Sequence, residues 1–144
     1  MDLDIVVNKI ATIERCLERV RKTYNEDSKN LEDLDKQDII ILNIQRVCEA
    51  AIDISMHICA QQGLGIPQAN ADAFGFLFEK GVITSELHQS LKSMVGFRNV
   101  AVHDYQKLNL KILRAVIEEH LQDLTEFTES ILKANKLEIE AKEL

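Results

Sequence analysis

Pro67 is the only proline in this 144-residue chain, and five glycines are its only other strong breakers. A chain so poor in breakers carries on whatever backbone periodicity it starts, which favours long helices joined by short connections. The periodicity that recurs is three and four. Between residues 108 and 133, Leu110, Leu113, Ile117, Leu121, Leu124, Phe127 and Ile131 hold it over six intervals. Ile10, Ile13, Leu17, Val20 and Tyr24 hold it between residues 2 and 24. Each set lines one face of a helix, and no alternating strand pattern competes with it.

The remaining helices follow from the same signal. Ile40, Ile44, Val47, Ala51, Ile54 and Ile58 mark a buried stripe on a helix from about 34 to 62. Ile39, Ile41 and Leu42 widen it, so this helix is expected at the centre. Gly63 suits the position just past its end, and Pro67 follows where a helix does not resume at once. A short helix is expected over 70–79 with Phe74, Leu77 and Phe78 inward, closed by Gly81. Thr84 or Ser85 then caps a fourth helix whose apolar face is Leu87, Leu91, Met94 and Val95. Residues 25–38, rich in acids, read as a connection leading into the second helix. The expected architecture is all-α, a bundle of four main helices plus one short helix. It forms one domain over residues 1–144, with residues 133–144 a polar tail that frays or extends the last helix. At 144 residues and 46% hydrophobic content the chain can bury a real core.

Composition excludes some functions. A formal charge of −7 argues against a protein that coats nucleic acid generally, while leaving room for a local phosphate site. Cys16, Cys48 and Cys59 form no CxxC pair, and the simplest reading is buried free thiols in a reducing cytoplasm. No apolar run reaches the roughly 18 residues of a membrane span. The histidines, His57, His88, His103 and His120, lack HExxH spacing, and no P-loop or GxGxxG is present, so neither a metal nor a bound cofactor is expected.

The fourth helix runs into the stretch GFRNVAVHDY, residues 96–105. It gathers Arg98, Asn99, His103 and Tyr105. At about 100° per residue, Asn99 and His103 share a helix face, whereas Arg98 and His103 are about 140° apart. Arg98 therefore reaches around, or the helix opens near Asp104. A histidine with a near-neutral pKa can take a proton from a ribose 2′-hydroxyl or give one to a leaving 5′-oxygen. An arginine can neutralise charge building on the phosphate between them. An asparagine can orient the imidazole or the substrate. Such a set suits metal-free RNA cleavage by internal transesterification, which spares DNA. One histidine per chain is thin for both acid and base, and a symmetric dimer would supply two. The bland alternative is a capped helix end, with Arg98 meeting an acid and Tyr105 packing its ring.

RxxxxHxY, here Arg98, His103 and Tyr105, resembles the motif of HepT-type toxins in the HEPN superfamily. The resemblance extends to IQRVCEAAIDISMHI (44–58), GVITSELHQSLKSMVGFRNVAVHDY (81–105) and the following NLKILRAVIEEHLQDL. It implies a homodimeric helical-bundle ribonuclease that needs no metal and acts as the toxin of a two-gene toxin–antitoxin module. Arg98 and His103 would be catalytic and Asn99 would support them. The cognate antitoxin, a minimal nucleotidyltransferase of the MntA type, would use ATP to transfer AMP to Tyr105. Covalently held phosphodiesters beside Arg98 would fill the phosphate site. A second possibility is a non-catalytic nucleotide- or substrate-binding subunit of such a transferase. Arg46 and Asp53, seven apart on one face of the second helix, either position RNA or His103 or form a structural ion pair within the bundle or across the dimer. Residues 84–120 carry five basic and four acidic side chains, so RNA affinity should be modest and depend strongly on salt.

Overall fold

The longest helix, α2 (Leu34–Gln62), is the element around which the others gather in the computed structural model, which describes residues 3–103 and 108–143. α1 (Leu3–Tyr24) lies along α2 over the largest contact, while α3 (Asp72–Glu79), α4 (Ser85–His103) and α6 (Leu121–Glu143) also reach it. A short α5 (Leu110–Ala115) leads through a π-helical turn, Val116–His120, into α6. Among the described residues there is no strand, and the chain is the all-α bundle its periodicity requires.

The core is built from the expected stripes. Ile13, Val20, Ile40, Ile44, Ile54, Leu77, Leu113, Leu124, Phe127 and Ile131 have no measurable exposure. Phe127 meets Phe74 edge to face, with centroids 6.1 Å apart and planes at 82°. All three cysteines are buried free thiols. No described helix is long and apolar enough to cross a membrane.

Termini of the helices obey capping chemistry. Gly63 takes the left-handed conformation at the end of α2, φ 63°, and donates to Cys59 O. Gly81, φ 81°, ends the α3 turn, where Val82 N donates to Leu77 O. A side chain at either φ would crowd its own carbonyl, which glycine avoids. Thr84 Oγ1 caps α4 by accepting from Leu87 N at 3.1 Å.

Several expectations are corrected. The acidic segment 25–33 is not a plain connection: Ser28–Glu32 is a 3₁₀ turn that buries Leu31. Its acids act as caps, Asp27 accepting from Lys29 N and Asp33 from Lys36 N. Leu42 is exposed and Ile39 only half-buried, because they sit at the edge of the α1–α2 contact and not inside it. Phe78 is not fully inward: it is 40% exposed at the edge of the apolar face and stacks on His88 of α4, centroids 5.4 Å apart. Leu110 is exposed at the start of α5. The last helix is not one regular cylinder. Leu113, Ile117 and Leu121 are separated by two successive steps of four, each of which drifts about 40° on a regular helix. The wider π turn at 116–120 takes up that drift and keeps all three side chains inside. α6 then extends to Glu143, so the polar tail continues the helix.

Candidate active site at the end of α4

α4 explains why Arg98 is where it is. Leu87, Leu91, Met94 and Val95 face the core, and the line they draw continues through position 98 to Ala101. An arginine therefore occupies a place where the pattern calls for an apolar side chain. Its side chain is only 20% exposed. A guanidinium taken so far out of water must be paired or destabilise the fold. The pairing group is Glu49 on α2: Arg98 Nη2 donates to Glu49 Oε1 at 3.1 Å. On the other side Arg98 Nη1 donates to Asn99 Oδ1, also at 3.1 Å. The same Glu49 oxygen accepts from Gln45 Nε2 at 3.4 Å.

The guanidinium is thus held in its plane between an acid on a neighbouring helix and an amide on its own. Each terminal nitrogen still carries a second N–H, and the buried Nε–H has no acceptor among the described residues. Donor capacity remains for an anion. Behind the pair lies Cys48, whose thiol points at Met94 O, 3.8 Å away. Burial pushes that thiol up to about 12, Arg98 opposing the shift and Glu49 adding to it. Cys48 is therefore packing and not a nucleophile.

α4 stays helical through His103, so the helix does not open before the histidine. The backbone places Asn99 and His103 one turn apart on one face, and Arg98 about 7.5 Å back along the axis. Tyr105 lies outside the described residues, as does Asp104. Of the other histidines, His57 Nε2 is buried without a partner among the described residues, His88 stacks on Phe78, and His120 Nδ1 lies 3.0 Å from Asp123 Oδ2. None of these three hydrogen-bonds Arg98. Among the described residues no three His, Cys, Asp or Glu side chains converge as metal ligands.

The two α2 candidates separate. Asp53 pairs with Lys9 of α1 at 3.0 Å, both well exposed, and so serves as a tie within the bundle. Arg46 makes no such pair among the described residues and lines a cleft between α1 and α2. The residue that sequence reasoning missed is Glu49, between them. Its signal was present: an acid flanked by Cys48 and Ala50 in the buried half of α2, together with an arginine on the apolar line of α4.

A model of the ribonuclease HepT-like family matches residues 13–131. The chain belongs to that family. It is 51% identical over 128 residues to the mRNA nuclease HepT of Shewanella oneidensis, covering 89% of this chain and 96% of that one. It is 29% identical over 106 residues to the tRNA nuclease HepT of Aphanizomenon flos-aquae, covering 73% and 72%. Among solved structures, the tri-AMPylated Shewanella oneidensis HEPN toxin in complex with an MNT antitoxin superposes with a TM-score of 0.87 at 50% identity, covering 92% of this chain and 99% of that one. Membership makes this chain a ribonuclease of the HEPN all-α type, as the RxxxxHxY segment implied.

Proposed function

We propose that this chain is the toxin of a two-gene module, an endoribonuclease that cuts RNA with Arg98 and His103 and is silenced by adenylylation of Tyr105. The observation that carries the reading is the fixed guanidinium of Arg98, held by Glu49 and Asn99 at 3.1 Å each, five residues before His103. The imidazole of His103 takes the 2′-hydroxyl proton as that oxygen attacks the adjacent phosphorus. The bond to the 5′-oxygen breaks, and a protonated His103 of a second copy supplies the proton that leaves with it. Products are a 2′,3′-cyclic phosphate and a 5′-hydroxyl. Arg98 neutralises the extra negative charge on the phosphorane oxygens. No step calls for a metal or a cofactor.

Regulation follows from the same charge. AMP groups on Tyr105, two residues beyond His103, place covalent phosphates where Arg98 would meet those of RNA. The partner that supplies them is a minimal nucleotidyltransferase of the MntA type using ATP, and its relatives' complexes support that assignment. The working form is a cytoplasmic homodimer, in which two His103 side chains share one cleft.

The test is cleavage of RNA by unmodified protein in EDTA. Cyclic-phosphate ends should form, and should vanish with His103→Ala and with Arg98→Ala while helicity is retained. Absence of cleavage by protein shown by mass to carry no AMP would favour a non-catalytic binding subunit. Tyr105→Phe should cut RNA and escape silencing; a Tyr105→Phe protein that still accepts AMP would move the acceptor elsewhere.

A further inference from the structure

A cleft of about 560 Å³ runs between α1 and α2. In a chain of formal charge −7 its walls are basic: Arg15, Arg19 and Lys22 from α1 and Arg46 from α2, against a single acid, Glu18. Glu18 is already engaged by Lys22 at 3.0 Å. Arg15, Arg19 and Arg46 are exposed and have no ion-pair partner among the described residues. Three unpaired guanidinium groups around one concavity repel one another, and an anion in the cleft would relieve that repulsion.

The spacing narrows the anion. Arg15 and Arg19 stand on successive turns, about 6 Å apart along the α1 axis, and Lys22 extends the row to about 10.5 Å. Successive phosphates of a nucleic-acid strand repeat on that scale, and a single small anion would leave part of the row unused. The floor is not uniformly polar either, since Leu42 is 44% exposed there and offers a face for a ribose or a base. α2 carries residues of both the cleft and the active site. Arg46 precedes Glu49 by three residues, one turn of α2, and Glu49 holds Arg98.

We infer that this cleft is a backbone-binding subsite of the ribonuclease: Arg15, Arg19 and Arg46 hold phosphates of the RNA strand outside the scissile bond. The inference rests on the reading of RNA as the substrate. It gives an acidic chain a local grip on RNA. Arginine suits this work because its fork matches phosphate oxygens.

The test separates this subsite from the cleavage reading by measuring binding in a background that cannot cut. His103→Ala protein in EDTA is titrated with a fluorescent 20-nucleotide RNA over a range of salt. Adding Arg15→Gln with Arg19→Gln should raise Kd roughly tenfold and make the log–log salt slope shallower by about 1.4, at about 0.7 for each lost phosphate contact. Arg46→Gln should act in the same direction. Lys80→Gln with Lys133→Gln, the same charge change at exposed positions away from the cleft, is the control and should leave Kd within twofold. Equal Kd and slope for the cleft and control variants would overturn the subsite. So would a cleft variant that binds RNA normally and fails to capture the nucleotidyltransferase, which would give the cleft to a protein partner. Absence of cleavage by the unmutated protein, with cleft-dependent binding intact, would overturn the nuclease reading and leave the subsite standing.

Discussion

Glu49→Gln is the substitution that most directly asks what the Arg98–Glu49 ion pair does. Glutamine keeps the size of the side chain and an oxygen for Arg98, and removes only the charge. Two effects should separate. The pair lies between a surface salt bridge and a buried one, with Arg98 20% and Glu49 42% exposed. Exposed pairs contribute about 0–1 kcal/mol, and hydrogen bonds to charged groups about 1.5–3 kcal/mol. A loss of about 1 kcal/mol is expected, which for a chain of this length is a fall in Tm of roughly 3 °C. Cleavage should fall further than stability does. With Glu49 neutral, the guanidinium keeps its bond to Asn99 but loses its charged anchor, and a misplaced Arg98 no longer meets the phosphorane squarely. A tenfold drop in kcat corresponds to about 1.4 kcal/mol of transition-state stabilisation. The assay is single-turnover cleavage of a defined RNA in EDTA, beside thermal melts followed by circular dichroism. Unchanged cleavage with the Tm lowered would make the pair structural only. Faster cleavage would refute the reasoning outright, because Glu49 would then compete with RNA for Arg98.

Three further outcomes are expected. Phe127→Ala removes a fully buried ring and its edge-to-face contact with Phe74, and should cost about 3–5 kcal/mol in urea unfolding; a loss near the ~1 kcal/mol of an average substitution would mean that the site collapses to fill the space. Tyr24 donates to Glu118 Oε2 at 2.8 Å, and burial first, then that bond, raises its pKa above the usual phenol range. The folded state thus favours the neutral phenol, so this stabilisation is complete below the unfolded pKa of about 10 and is lost as pH rises through the higher folded value. Wild type should lose urea resistance above about pH 10 more steeply than Tyr24→Phe, and parallel profiles would show that the phenol is not linked to folding. Cys48, with its thiol pushed up to about 12, should resist a thiol reagent at pH 8 until the protein unfolds; labelling at the unfolded rate would contradict its burial.

Much of this protein was legible before any coordinates. Helix positions followed from apolar spacing and from glycine and threonine at helix ends, because those signals act within one or two turns of the backbone. Arg98, Asn99, His103 and Tyr105 could be picked out because their chemistry is carried by residue type and spacing along one short segment. The sequence by itself could not say which distant side chain meets which. Arg98 and Glu49 lie 49 residues apart, and only the packing of α4 on α2 brings a carboxylate to the guanidinium. Arg15 and Arg19 are two cations of one helix until α1 lies beside α2 and Arg46 closes the other wall. The π turn at 116–120 likewise arises because two helical steps of four must both stay inside the bundle. Local periodicity is set by the chain's own geometry. Partnerships across helices depend on how the apolar stripes dock, and docking is a property of the whole fold.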